Sequence, residues 1–297
     1  MQDWGRLITA MVTPFDESGK LDLGGACSLA GQLAQEGATA LVLAGTTGES
    51  PTLSKEEKLA LFRSVKKAVS LPVIANVGSN NTLESAEFAQ AARKTGVDGL
   101  MTVVPYYNKP NKAGLYRHYQ TIAEAGRLPL MIYNVPGRTG LNLDAGTILQ
   151  LTEIPYVCCI KEATDDFAKI ACILRNAPPH FKVYTGEDSL TLPVLAVGGY
   201  GVVSVASHVA GPIMRRMIDS FLSGNIALAQ KLHLTLSPLY ESLFMTSNPI
   251  PVKAALRIRG FNAGPLRLPL IEADDTVIAR LSADLAGLAR MEGADKG

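Results

Sequence analysis

Residues 157–164 read Val-Cys-Cys-Ile-Lys-Glu-Ala-Thr, an apolar run interrupted near its end by a lysine. A continuous apolar run of this kind is typical of a parallel strand covered on both faces. Lys161 then has two interpretations. Either it begins the polar loop after the strand and pairs with Glu162, or it is a buried, uncharged amine that attacks a carbonyl carbon to form a Schiff base. Taken alone, the stretch favours the first interpretation, so the choice depends on the rest of the chain.

Similar short apolar runs recur along the chain, and longer amphipathic segments separate them. The runs predicted to be strands are residues 6–13, 38–45, 71–78, 99–105, 128–135, 157–163, 182–187 and 201–207. The predicted helices between and after them are residues 23–35, 55–69, 83–94, 113–125, 145–151, 167–175, 190–197 and 212–222. Eight strands alternating with eight helices favour an α/β fold of the (β/α)8 TIM-barrel type over an open doubly wound sheet.

The strand pattern stops after residue 223. Three further helices are predicted at residues 225–244, 249–259 and 274–291, joined by proline-containing turns, with a polar tail at residues 293–297. The expected organisation is a catalytic barrel domain over residues 1–223 and a three-helix C-terminal extension over residues 224–297. The leucines of the first of these helices fit either a core against the barrel or an interface with another subunit.

Composition excludes several classes of protein. The 297 residues are 47% hydrophobic, and 28 basic against 27 acidic side chains leave a net charge of +1. We therefore expect no nucleic-acid partner, and no apolar run is long enough to predict a membrane span. The four histidines lack metal-ligand spacing, so neither a metal nor a cofactor is expected. The four cysteines form no C-x-x-C pair, which predicts reduced thiols and a cytoplasmic protein, and Cys158 and Cys159 are expected on opposite faces of their strand.

Polar residues collect where the predicted strands end. Active sites of (β/α)8 barrels lie at the carboxyl ends of the strands and in the loops that follow. Besides Lys161, the groups at these ends are Gly45-Thr46-Thr47-Gly48-Glu49-Ser50 after strand two, Pro105-Tyr106-Tyr107-Asn108 after strand four, Tyr133-Asn134-Val135-Pro136-Gly137-Arg138-Thr139-Gly140 after strand five and Gly186-Glu187-Asp188 after strand seven. These groups are predicted to face one cavity.

Each group has an ordinary explanation and a functional one. The loop from Gly45 lacks P-loop spacing, and it is either a capped turn or a set of backbone N–H groups that bind a small carboxylate. Tyr133 is a rim aromatic or a proton-transfer group, and Arg138 is a solvated cation or a carboxylate clamp. Glu187 and Asp188 are capping acids or catalytic acids. Together with a lysine for a carbonyl, these groups describe an aldolase-type enzyme acting on a 2-oxo acid.

These motifs, with Ser247-Asn-Pro-Ile-Pro-Val-Lys253, resemble those of the dihydrodipicolinate synthase family, within the N-acetylneuraminate lyase superfamily of class I aldolases. The resemblance runs essentially end to end. It implies that Lys161 forms an imine with pyruvate, whose enamine attacks L-aspartate 4-semialdehyde in the first committed step of lysine and diaminopimelate synthesis. Two alternatives remain: another pyruvate-dependent aldolase or lyase, which would usually lack an equivalent of Arg138, or a catalytically silent binding homologue.

The resemblance also implies roles for individual residues. The backbone N–H groups of Thr46 and Thr47 would hold the pyruvate carboxylate, and Arg138 would receive that of the semialdehyde. Gly186 and Val203 would line the pyruvate pocket.

A proton relay is implied by the same resemblance. Tyr133, Thr46 and Tyr107 match its members, with Tyr107 reaching in from a neighbouring subunit. The expected assembly is therefore a homotetramer, built as a dimer of tight dimers.

A regulatory pocket is implied as well, with one departure from the family's pattern. Asn80, Glu84 and Tyr106 match the pocket that binds inhibitory L-lysine at the dimer interface. Lys55 and Lys58 stand at two positions that are often histidine in the inhibited enzymes. Because extra cations repel a ligand that carries its own ammonium group, weak or absent inhibition by lysine is predicted.

Overall fold

The computed structural model describes residues 3–294, with side chains up to Arg290. All eight strands are parallel and close into a barrel in sequential order, with the last strand paired to the first. The strands are β1 (Leu7–Ala10), β2 (Ala40–Leu43), β3 (Val73–Asn76), β4 (Gly99–Val103), β5 (Leu130–Asn134), β6 (Val157–Glu162), β7 (Lys182–Thr185) and β8 (Gly201–Ser204). The predicted (β/α)8 barrel with helices after it is confirmed. Each strand is shorter than its predicted run, because the run includes the first loop residues.

Helices alternate with the strands and then continue alone. They are α1 (Leu23–Gln35), α2 (Lys55–Ala68), α3 (Thr82–Arg93), α4 (Lys112–Gly126), α5 (Pro136–Thr139), α6 (Ala145–Leu151), α7 (Phe167–Asn176), α8 (Thr191–Ala196), α9 (Ser207–Leu222), α10 (Ile226–Ser242), α11 (Ile250–Ile258) and α12 (Asp275–Ala294). The single turn α5 was not predicted. Residues 295–297, the end of the predicted polar tail, lie outside the described residues.

Helix α9 begins earlier than predicted. It starts at Ser207, which was predicted to end a strand, and a non-helical Ala210 joins two helical pieces. Pro212 stands in the first turn of the second piece, where its missing N–H breaks no helical hydrogen bond. The proline is what made the sequence pattern appear to start there.

The barrel interior holds a cluster of apolar side chains distinct from the layer between strands and helices. Adjacent Cys158 and Cys159 both belong to this inner cluster, with their sulfur atoms 3.6 Å apart. The expectation that they face opposite sides is wrong. The pairing of β5 with β6 shifts register between Leu130 and Met131, and this irregularity turns both cysteines inward.

The three C-terminal helices pack onto the barrel. Helix α10 lies against α9 and α12, and α11 lies against α9 and α12. Most leucines of α10 join the same hydrophobic core as the barrel helices, whereas Leu234 is 71% exposed. The core alternative therefore holds for most of them, and the domain boundary at residue 223 stays a prediction.

Two histidines are held neutral inside the fold. His208 accepts a hydrogen bond at Nε2 from the Val12 N–H (3.1 Å), so its Nδ1 donates to the Val205 carbonyl (2.8 Å). Burial lowers the pKa of His208 to about 4. Burial likewise lowers the pKa of His118 to about 4.

We expect the protein to lose stability as the pH falls from about 6.5 towards about 4, because unfolded histidines take up protons that the buried ones do not. Each histidine should lower the free energy of unfolding at pH 5 by about 2 kcal/mol relative to its value at pH 7.5. Urea unfolding at both pH values checks this. His118→Gln should reduce the loss, whereas exposed His180→Gln should keep it. Equal losses in wild type and His118→Gln would contradict the assignment.

Candidate active site

The carboxyl ends of the strands open into a cavity of about 510 Å³. Its walls come from the loops after β2 to β5, and they include Thr46, Ser50, Asn76, Tyr106, Tyr133 and Arg138. The prediction that polar strand ends share one cavity is therefore met for these loops.

Lys161 lies beside this cavity on β6. Its side chain is 6% exposed, and Nζ lies 4.4 Å from the centre of the Tyr133 ring on the neighbouring strand. The pairing of β5, β6 and β7 places Tyr133, Lys161 and Tyr184 side by side. Within residues 3–290, no carboxylate lies within ion-pair distance of Nζ. The amine is thus buried in contact with an aromatic face and forms no ion pair within these residues. Burial raises the pKa values of Glu187 and Asp188, and the charge of Lys161 opposes the rise in both.

Glu162 does not pair with Lys161. Its carboxylate, fully buried, meets Lys169 Nζ at 3.1 Å and accepts from Asn134 Nδ2 at 2.8 Å, on the outer side of the strand. Lys169 Nζ also donates to the Asn142 side-chain oxygen (3.0 Å). Burial raises the pKa of the Glu162 carboxyl, against the pull of Lys169. The interpretation that Lys161 pairs with Glu162 is therefore wrong. The network around Glu162 instead holds the ends of β5 and β6 together on the outer side of the barrel.

Gly186 leaves room for the lysine side chain. A Cβ at this position would lie 2.8 Å from Lys161 Cε and 2.9 Å from Ala163 Cβ, both closer than normal contact. Val203 on β8 is fully buried in the same inner cluster as Tyr133. Gly186 thus lies against Lys161 and Val203 belongs to the inner cluster, and that the two residues line a pyruvate pocket stays a prediction.

The loop after β2 turns tightly. Ala44 and Glu49 both have positive φ angles, of 51° and 53°, and the Glu49 N–H donates to the Thr46 carbonyl (3.1 Å). A Cβ at Gly48 would lie 3.1 Å from the Ala44 backbone and from a neighbouring carbonyl oxygen, so the turn needs glycine there. Among the described residues, no acceptor binds the N–H group of Thr46 or that of the residue after it. Such free donors in a turn bind anions.

The C-terminal extension supplies a residue that sequence reasoning used only as part of a family motif. Asn248 Nδ2 donates to the Thr47 hydroxyl (2.9 Å), and Arg138 Nη2 approaches the Asn248 carbonyl (3.4 Å). Asn248 thereby joins the turn after β2 to the arginine of α5. More than a hundred residues separate it from either partner, and no spacing signal in the sequence predicts such contacts.

Asp188 has a structural role. Its buried carboxylate accepts hydrogen bonds from the N–H groups of Val205 and Ala206 (3.0 and 2.9 Å) and from the Ser204 hydroxyl. Burial raises its pKa, and these three donors oppose the rise. The capping explanation therefore holds for Asp188, which fixes the start of α9.

Comparison with known proteins decides the family. Residues 3–287 match the model of the Dihydrodipicolinate synthetase family. The chain belongs to this family. The enzyme named 4-hydroxy-tetrahydrodipicolinate synthase of Moorella thermoacetica is 56% identical over 91% of this chain and 93% of its own length. The enzyme of the same name from Desulforudis audaxviator is 54% identical over 92% of this chain and 94% of its own length.

Solved structures of the dihydrodipicolinate synthetase family superpose closely. The enzyme of Cyanidioschyzon merolae, crystallised with lysine bound, has a TM-score of 0.94 and 46% identity, covering 96% of this chain and 98% of its own. A protein described as the first monomeric variant of dihydrodipicolinate synthase has a TM-score of 0.93 and 38% identity. The match covers 96% of this chain and 97% of the variant. Fold and family resemblance are both confirmed by these matches.

Tyr107 lies apart from the rest of the predicted relay. It is 88% exposed with a φ of 72°, and it does not line the cavity that contains Tyr133 and Thr46. A single chain therefore does not bring the three relay residues together. That Tyr107 enters the site of a neighbouring subunit, as the family resemblance implies, stays a prediction.

The residues of the expected lysine pocket are brought together at the outer part of the same cavity. Lys55 Nζ meets a Glu84 carboxylate oxygen at 3.3 Å, and Asn80 Nδ2 donates to the Tyr106 carbonyl (3.2 Å). Burial lowers the pKa of Lys58. Glu84 is thus already engaged by a cation of the protein.

None of the helices in the described part of the chain is long and apolar enough to cross a membrane. Within the same part, no group of three or more His, Cys, Asp or Glu side chains is arranged to hold a metal ion.

Proposed function

We propose that this protein is a 4-hydroxy-tetrahydrodipicolinate synthase, which condenses pyruvate with L-aspartate 4-semialdehyde through a Schiff base on Lys161. The observation that carries the proposal is the buried Lys161 amine, which contacts the Tyr133 ring and forms no ion pair among the described residues. Relatives of that name at 50 to 56% identity support it.

The proposed chemistry follows from the groups around the amine. The neutral amine attacks the carbonyl carbon of pyruvate, and the carbonyl oxygen leaves as water to give an imine. Loss of a methyl proton forms an enamine, whose carbon attacks the aldehyde of the second substrate and regenerates the imine. The amino group of the second substrate then attacks the imine carbon, which closes the ring and releases the Lys161 amine. We assign the proton transfers of these steps to Tyr133, and the contact of its ring with Lys161 supports this assignment.

Substrate binding is assigned to two groups of hydrogen-bond donors at the carboxyl ends of the strands. The free N–H groups of Thr46 and Thr47 hold the pyruvate carboxylate, because a turn of this kind presents them without internal partners. Arg138 binds the carboxylate of the semialdehyde, for which its planar fork of donors is suited. Gly186 and Val203 bound the space for pyruvate.

We also propose a cytoplasmic homotetramer, built as a dimer of dimers. Tyr107 is 88% exposed and Leu83, at the start of α3, is 67% exposed, and such exposed apolar side chains fit a contact surface with a second copy. A partner's copy of this tyrosine would complete the relay of Tyr133 and Thr46. All four cysteines are free thiols, as a reducing compartment maintains. Since one structural relative is described as monomeric, sedimentation is the measurement that decides the assembly.

Trapping the imine tests the function. Borohydride treatment with pyruvate should add one pyruvate-derived mass at Lys161, and a coupled assay should show turnover of aspartate semialdehyde. Absence of an adduct would favour the silent binding homologue. An adduct with faster turnover of a different aldehyde would favour another aldolase of the superfamily.

Feedback inhibition should be weak or absent. Lys55 already occupies Glu84, the acid that would receive a ligand ammonium, and Lys58 adds a second cation to the pocket. We expect sub-millimolar L-lysine to leave the initial rate unchanged, and Lys55→His with Lys58→His to increase lysine binding measured by calorimetry. Strong inhibition of the wild type at sub-millimolar lysine would contradict this.

A further inference from the structure

An ion pair lies buried between the turn after β2 and the C-terminal helix α11. Lys253 Nζ meets Glu49 Oε1 at 2.7 Å, and the two side chains are 4% and 0% exposed. We propose that these are positioning residues: Lys253 cancels the charge of Glu49, so that the adjacent Thr46–Thr47 turn accepts a substrate carboxylate. This inference rests on the proposed function, which assigns the pyruvate carboxylate to that turn.

Glu49 belongs to the anion-binding turn itself. Its backbone has a φ of 53°, in the left-handed region that a residue with a side chain adopts at a cost, and its N–H closes the turn onto Thr46. The second carboxylate oxygen accepts from the Arg267 N–H at 2.9 Å. Both oxygens are therefore anchored by the C-terminal extension, and the backbone geometry of the turn is set from that side.

Lys253 has little reason to be buried apart from this carboxylate. Its ammonium also donates to the Pro265 carbonyl (2.9 Å) and lies 4.4 Å from the centre of the Phe15 ring. Burial lowers the pKa of Lys253, and Glu49 acts in the opposite direction. Replacing a buried ion pair by well-packed apolar side chains of similar volume is often neutral or stabilising. Stability alone is thus a poor reason for a lysine and a glutamate here.

The electrostatic consequence concerns the anion. Glu49 lies two and three residues from the two N–H donors, and its side chain is fully buried. An uncompensated carboxylate there would repel an incoming carboxylate, whereas a neutral pair leaves the field at the turn to the backbone dipoles. Asn248, just before α11, reaches the Thr47 hydroxyl from the same side. One segment of the extension therefore fixes both the charge and the shape of the turn.

A charge cycle on the pair tests the inference. Lys253→Met removes the partner of the Glu49 carboxylate, and we expect at least a tenfold rise in the KM for pyruvate with a smaller change in kcat. Glu49→Gln leaves the charge of Lys253 without its partner, which favours an incoming carboxylate, and it should lower that KM by about threefold or more. The neutral double variant should return the KM to within about threefold of wild type. Lys66→Met, which breaks the partly exposed pair with Asp98, is the matched control and should change neither constant.

The cycle separates charge compensation from a general structural role. If the pair only held the fold together, both single variants would raise the KM and lower kcat together, and the double variant would not recover; that outcome would overturn the inference. Should Lys253→Met fail to fold, Glu49→Gln still decides, because charge compensation predicts a lower KM for pyruvate in this variant and a structural role predicts a higher one. Wild-type protein that gives no borohydride adduct would instead overturn the proposed function. Adduct yield against pyruvate concentration gives the same comparison without the second substrate.

Discussion

Lys161→Ala is expected to abolish the borohydride-trapped pyruvate adduct and to lower kcat/KM by about 10⁴-fold or more. No other described amine takes its place beside Tyr133, because Lys169, the buried lysine one turn into α7, faces the outside of the barrel and is paired with Glu162. The variant therefore removes the amine that contacts Tyr133, whereas the other lysines that line the cavity, Lys55 and Lys58, belong to the expected lysine pocket. Intact-mass spectrometry after borohydride and initial-rate assays measure both effects.

The stability of this variant carries separate information. A buried amine without an ion pair costs free energy of folding, so Lys161→Ala should unfold at a denaturant concentration equal to or above that of wild type. Lys161→Arg keeps a long basic side chain but forms no imine, and it should be as inactive as the alanine variant. Lys112→Ala, which breaks an exposed pair with Asp144, is the control for lysine removal and should keep the adduct. An adduct of full yield in Lys161→Ala would place the nucleophile elsewhere.

The fold and part of the site could be predicted from the spacing of apolar residues and from the location of polar residues at the ends of strands. Apolar runs of strand length between amphipathic helices specify the barrel, and the barrel rule then gathers Thr46, Tyr133, Arg138 and Lys161 at the carboxyl ends of their strands. Strand alternation also separates the roles of Lys161 and Glu162, because neighbours on a strand point to opposite faces. That argument was available from the sequence, and it would have rejected the pairing of the two.

The same alternation failed two residues earlier. Cys158 and Cys159 both face inward because the strand pairing shifts register opposite them, and such a shift depends on the neighbouring strand rather than on local sequence. Contacts across the chain were missed for a related reason. Glu49 with Lys253, and Thr47 with Asn248, join the turn after β2 to residues about 200 positions away, and no periodic pattern reports them.

Gly186→Ala is expected to lower kcat/KM by about a hundredfold without removing any catalytic group. The added Cβ would lie 2.8 Å from Lys161 Cε and 2.9 Å from Ala163 Cβ. The lysine side chain is more flexible than Ala163, so the methyl group should displace the amine from its place over the Tyr133 ring. Overpacking of this size also costs about 1–3 kcal/mol of unfolding free energy. Adduct formation under single-turnover conditions, together with urea unfolding, measures the two effects.

Two further variants show whether displacement of the lysine is the cause. Gly31→Ala adds a methyl group in α1 with nothing within 4 Å, so it should keep wild-type activity and gain slightly in helix stability. Gly186→Ala combined with Ala163→Gly removes one of the two clashes and lets the backbone near β7 relax away from Lys161. We expect this pair to recover part of the lost rate of imine formation. If Gly186→Ala alone forms the adduct at the wild-type rate, the lysine side chain is free to adopt another path to the substrate, and the close fit at Gly186 does not position the nucleophile.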